Sequence, residues 1–180
     1  MYSDIDVKIA GNKPSKDVKR NLSLSGMQES ISKSDVEKAK KFGEEVANKF
    51  LEDTNITASE RETNIEMITQ RKILLSFTAT VGFEMYSPDD TICGIAQKSF
   101  IDTLKIEDKS SCDSDDTGAF SFYYLAFRRG SQVDRRIGQT FAMLCSHDGD
   151  PIYHELGEAL YCWFLSQVKE VAEKIYGKGN

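Results

Sequence analysis

The stretch from Ile65 to Tyr86, IEMITQRKILLSFTATVGFEMY, decides the fold of this chain because two periodicities compete within it. Ile73, Leu75, Phe77, Ala79, Val81, Phe83 and Met85 alternate with Leu74, Ser76, Thr78, Thr80, Gly82 and Glu84, the pattern of a half-buried strand. Against this, Ile65, Ile68, Leu75, Ala79, Phe83 and Tyr86 keep a helical stripe. A strand starting at Lys72 would exceed the usual length of roughly 3 to 10 residues and has no evident neighbour. The stretch therefore predicts one long helix, in which Ser76, Ala79, Thr80 and Gly82 permit close approach by another helix. The start of this helix is predicted at a capping box, Thr57-Ala-Ser-Glu60.

On the C-terminal side lies a second decisive segment. Asp150 is a natural N-cap and Pro151 suits the first helical position, so a helix is expected to open there. Leu156, Leu160, Trp163, Phe164, Val168, Val171 and Ile175 recur at three- and four-residue steps, with Glu158, Gln167, Lys169, Glu170, Glu173 and Lys174 on the other face. Between Leu160 and Leu165 the residues are apolar almost all round, which predicts that this segment forms the centre of the core.

The remaining elements follow from similar signals. Ser34-Asp35 opens an amphipathic helix carrying Val36, Ala39, Phe42, Val46, Phe50 and Leu51, expected to end at Asp53-Thr54-Asn55. Ser87-Pro88-Asp89-Asp90 stops one helix and caps the next, which holds Ile92, Ile95, Ala96, Phe100, Ile101 and Leu104. Glu107 to Asp116 is an acidic loop; it lacks the Gly and terminal Glu of a twelve-residue calcium loop, so it reads as solvated, helix-capping sequence. Residues Ala119 to Phe127 place Phe120, Tyr123, Tyr124 and Phe127 on one helical face, and Val133, Ile137, Phe141, Leu144 and Cys145 form the next helix. The expected fold is all-α: a single-domain bundle of about six helices over 31–177, preceded by a flexible N-terminal arm, 1–30. The alternative is an α+β fold with strands at 72–86 and 119–129.

Net charge is −6 and the isoelectric point near 5.0, which argues against broad binding to nucleic acid or to an anionic bilayer. No apolar run approaches the roughly 18 residues needed to span a bilayer, and the N-terminus lacks a secretory pattern, so a cytoplasmic protein is expected. The four cysteines are widely spaced; Cys145 and Cys162 sit among apolar neighbours and read as reduced core residues.

Three places could carry chemistry. The only histidines, His147 and His154, lie near Asp150 and Glu158, and this set of four could ligate a divalent metal that activates water. The spacing matches no established metal motif, and the plainer reading is a capped helix start with acids placed where the helix dipole favours them. Cys145 precedes His147 by two residues, but a nucleophilic thiol needs a lowered pKa and a base within reach, and a core cysteine explains it more simply. Arg128, Arg129, Arg135 and Arg136 surround a turn and could hold an anion or an acidic partner, or balance Asp113 to Asp116. Ten Phe and seven Tyr beside these arginines point to a non-enzymatic protein–protein interaction module, self-associating or binding another protein and needing no cofactor. A metal-dependent hydrolase using His147, Asp150, His154 and Glu158 is the alternative, and whether the chain is an enzyme stays open at this level.

Overall fold

The computed structural model describes residues 32–59, 65–107 and 117–177. Its elements, in chain order, are α1 (Lys33–Ser59), α2 (Ile65–Tyr86), α3 (Asp90–Glu107), α4 (Thr117–Arg128), α5 (Val133–Leu144) and α6 (Pro151–Tyr176), with no strand among the described residues. The fold is thus the expected all-α bundle, and the strand alternative at 72–86 and 119–129 is overturned by α2 and α4. The N-terminal arm, Cys112, Glu60 and the acidic loop before α4 lie outside the described residues. The capping box expected at Thr57–Glu60 does not open α2: Thr57, Ala58 and Ser59 are helical residues of α1, whereas an N-cap needs non-helical backbone, and α2 is described from Ile65.

The strand-like alternation of α2 has a physical cause. Ile73, Leu74 and Leu75 are all buried, as are Phe77, Thr78 and Ala79, and again Val81, Gly82 and Phe83. A helix enclosed on nearly every side has no polar face, so the 3.6-residue period fades and an accidental two-residue rhythm shows through. Its hydroxyls are satisfied within the helix: Thr78 Oγ1 donates to Leu74 O (2.8 Å) and Thr80 Oγ1 to Ser76 O (3.2 Å).

This enclosure corrects the expectation about the core. Helix α2 packs against all five other helices, whereas α6 packs against α1, α2 and α5 only. The central rod is α2. Within Leu160–Leu165, Leu160, Tyr161 and Phe164 are buried, but Cys162 is exposed and Trp163 keeps 42 % of its surface in solvent. The two faces of α2 serve two apolar clusters. Leu75, Ala79 and Phe83 join Phe42 and Phe50 of α1, Phe100 of α3 and Phe164 of α6. Ile73, Leu74, Phe77 and Val81 join Tyr123 of α4, Ile137 and Phe141 of α5, and Leu160 of α6. Edge-to-face ring pairs hold the first cluster, among them Phe42–Phe83 at 5.0 Å and Phe83–Phe100 at 5.7 Å.

Side-chain hydrogen bonds explain where α1, α3 and α6 begin and why α1 runs on. Helix α1 is capped at Ser32, whose hydroxyl accepts the Asp35 N–H (3.1 Å), and it continues past Asp53 to Ser59. Arg71 of α2 grips Asp53 with two bonds, Nε to Oδ2 (3.0 Å) and Nη2 to Oδ1 (2.6 Å), which keeps that carboxylate from acting as a stop signal. Asp89 caps α3 by accepting from Thr91 N (2.8 Å) and Ile92 N (2.9 Å), and Asp150 caps α6 by accepting from Ile152 N (2.9 Å), both as the sequence implies. Among the described residues no helix is long and apolar enough to cross a membrane.

Candidate binding groove

Helices α4 and α5 are joined by a tight turn in which Gly130 and Gln132 adopt left-handed backbone, with φ of 87° and 54°. Helix α5 closes with the Cys145 N–H donating to Phe141 O (2.9 Å) and the His147 N–H donating to Ala142 O (2.9 Å). Helix α6 then turns back against α5. The crossing is tight because Gly138 lies against the His154 carbonyl, and Gly157 lies where a Cβ would stand 2.5 Å from Phe141 Cβ. This close approach sets His154 beside the outer part of α5.

Between α4, α5 and the start of α6 lies an open groove of about 460 Å³. Phe122 and Leu125 come from α4 and Arg129 from the turn after it, Arg136, Gln139 and Met143 from α5, and Asp148 and His154 from the loop before α6 and its first turn. Phe122 and Leu125 are 49 % and 57 % exposed and Met143 41 %, an unusual exposure for three large apolar residues sharing one channel. Arginine edges the channel from the α4–α5 turn and from α5.

The four metal candidates are not brought together. The His147 ring stacks on Tyr153 at 3.8 Å and 18°, and Asp150 spends its carboxylate on the α6 cap. His154 lines the groove, while Glu158 packs beside Gly138. Among the described residues, no three His, Cys, Asp or Glu side chains gather where they could hold a metal ion. The cause is local: stacking and capping each turn one residue away from the others.

The four arginines divide. Arg129 and Arg136 converge on the groove, and Arg136 Nη2 donates to Ser131 Oγ (3.2 Å) across the turn. Arg128 lies over the Tyr124 ring, 5.6 Å from its centroid, and Arg135 is exposed away from the groove. Asp113 to Asp116, which could balance them, lie outside the described residues.

Neither Cys145 nor Cys162 has the lowered pKa that a nucleophilic thiol needs. Burial, with the charge of Glu66 adding to it, pushes the Cys145 thiol up to about 12, so it stays protonated at neutral pH, in line with a core role. Cys162 is exposed rather than in the core, and desolvation followed by Asp134 and Glu158 raises its pKa too.

Sequence reasoning missed Phe122, Leu125 and Met143 as a set. A signal was present: Ala119 to Phe127 is apolar at nearly every position, so a helix with one buried face must leave large residues on the other. Tyr124, expected to share a face with Phe120, Tyr123 and Phe127, is 43 % exposed, whereas Tyr123 is buried.

The fold and groove define an all-helical bundle with an apolar, arginine-edged channel on one side. The chain matches no protein-family model, no curated protein and no solved structure.

Proposed function

We propose that this protein is a non-enzymatic interaction module whose working surface is the α4–α5 groove, and that its partner is a protein segment combining apolar and acidic side chains. The observation carrying this reading is the juxtaposition of exposed Phe122, Leu125 and Met143 with Arg129 and Arg136 in one channel. Aromatic residues, Met and Arg are the types enriched where interfaces gain binding energy, and two guanidiniums against the single carboxylate of Asp148 favour an acidic partner. The hydrolase reading lacks comparable support, because among the described residues no three of its candidate ligands gather and two of them, His147 and Asp150, are engaged in stacking and capping.

Selection of a random displayed-peptide library on the purified full chain tests this. Enriched peptides are expected to pair apolar with acidic residues. Their affinity should fall roughly thirtyfold or more in Leu125→Asp, the loss typical of an interface hot spot. Because Leu125 is largely exposed, unfolding stability should fall by no more than about 1–1.5 kcal/mol, mostly from the poorer helix propensity of Asp and its place in the last turn of α4. Peptides that bind Leu125→Asp and the parent chain equally would refute the reading. If light scattering shows a dimer that Leu125→Asp splits, the occupant is a second copy instead.

A further inference from the structure

Two residues lining the same groove each carry a polar atom with no partner among the described residues. Arg136 Nη1 and His154 Nε2 are both buried, both lack a hydrogen-bond partner among the described residues, and both belong to residues lining the one channel. Burying a donor without a partner is costly, and costlier for a charged one, so such groups are paired in nearly all folded chains. Arg136 is also held in place, because its other terminal nitrogen already donates to Ser131 Oγ at 3.2 Å. A guanidinium cannot lose its proton, so whatever completes this site accepts hydrogen bonds and carries no positive charge. Arg129 adds a second positive charge to the channel, and Asp148, its one carboxylate, forms no ion pair with a described residue.

We infer that Arg136 and His154 form a seat for an oxyanion, namely the carboxylate of an acidic side chain in the docked segment, whose apolar neighbours lie on Phe122, Leu125 and Met143. This deepens the docking reading and rests on it for the source of the carboxylate. Arg136 Nη1 and, in its Nε2–H form, the His154 imidazole each donate one hydrogen bond to the anion, which satisfies both orphaned atoms at once. The apolar neighbours of the docked carboxylate, laid over Phe122, Leu125 and Met143, exclude water from the seat and strengthen those bonds.

The test uses the full chain with ¹⁵N in arginine and histidine side chains, titrated with hexanoate, its neutral isostere hexanamide and inorganic phosphate. Hexanoate is expected to shift the Arg136 and His154 side-chain signals saturably. Hexanamide should bind roughly tenfold or more weakly, since it lacks the charge-assisted bonds. Arg136→Met, which keeps the apolar stem, should weaken hexanoate by a similar factor, and His154→Gln provides a second variant should Arg136→Met unfold. Asp148→Asn should tighten hexanoate by removing a like charge. Phe122→Ala should weaken hexanoate but leave phosphate unchanged. The seat is overturned if hexanamide binds as well as hexanoate, or if neither Arg136→Met nor His154→Gln alters hexanoate binding. Hexanoate that binds as expected, yet is not displaced by any library-selected peptide, supports the seat and overturns the protein source, leaving a free organic anion as its ligand.

Discussion

Gly43→Ala is expected to lower the stability of the bundle by about 2–3 kcal/mol, whereas Gly94→Ala, two helices away in sequence, should raise it by about 0.5–1 kcal/mol. In isolation the two substitutions are equivalent, since each replaces a helical glycine by the best helix former. They differ in what the new methyl group meets. At Gly43 it would collide with the Ala96 carbonyl and stand 2.8 Å from Phe100 N and from Ser99 Cβ. Those are mostly backbone atoms, which cannot turn aside as the end of a side chain could. The α1–α3 crossing is pinned as well by the Ser99 hydroxyl, which donates to the Lys40 carbonyl at 2.9 Å. Insertion of a methyl group therefore separates two helices over their length, loosening Phe42, Phe50 and Phe100 together. At Gly94 nothing lies within 4 Å, so only the gain in helix propensity remains. Urea titration of the two variants beside the parent chain decides the matter. Shifts of the same sign in both would contradict the described crossing.

Phe77→Ala should cost about 3–5 kcal/mol and should also abolish binding at the groove, although Phe77 does not line it. Phe77 is buried on α2, and its ring meets three rings of α4: Phe120 at 5.3 Å, Tyr123 at 5.6 Å and Phe127 at 6.2 Å. These contacts fix the rotation of α4 about its axis. That rotation decides which residues face outward, and so it holds Phe122 and Leu125 in the channel. Removing the ring leaves a cavity and frees α4 to shift. Phe122→Ala supplies the contrast, because an exposed ring should cost little stability while weakening peptide binding. Calorimetry and peptide titration on both variants give the two readouts. A Phe77→Ala chain that loses less than about 1 kcal/mol and still binds selected peptides normally would separate the groove from the core, contrary to this account.

Much of the architecture was legible from side-chain spacing and capping residues. Asp150 with Pro151 marked the start of α6, Asp89 marked α3, and the stripe from Val36 to Phe50 marked α1. Gly82 was read as a point of close approach, and Val168 of α6 indeed fills the space beside it. What failed has a common cause, namely that spacing reports amphipathicity and not depth. Helix α2 has almost no polar side and so carries a strand-like alternation, while the apolar run Leu160–Leu165 of α6 has the composition of a core centre although Trp163 faces outward. The end of α1 was misplaced because Asp53 is a breaker only when its carboxylate is free, and Arg71, 18 positions along the chain, engages it. The candidate site was half legible. Arg129, Arg136 and His154 were each singled out, but as members of two separate clusters, and only the α5–α6 crossing through Gly138 joins them in one channel. Nothing in the local sequence around His147 announced its stacking on Tyr153, which removes it from any metal set.

Native-state hydrogen exchange measured amide by amide tests most directly whether α2 is the strut on which the two clusters and the groove depend. With both faces of α2 buried, its amides from Leu74 to Phe83 should open only when the whole bundle unfolds, sharing one free energy equal to the global value from urea titration. Amides on the α4 side should open at lower cost. Exchange of the Leu74–Phe83 amides by local opening, at a free energy below that of Leu160–Val168 in α6, would contradict the account.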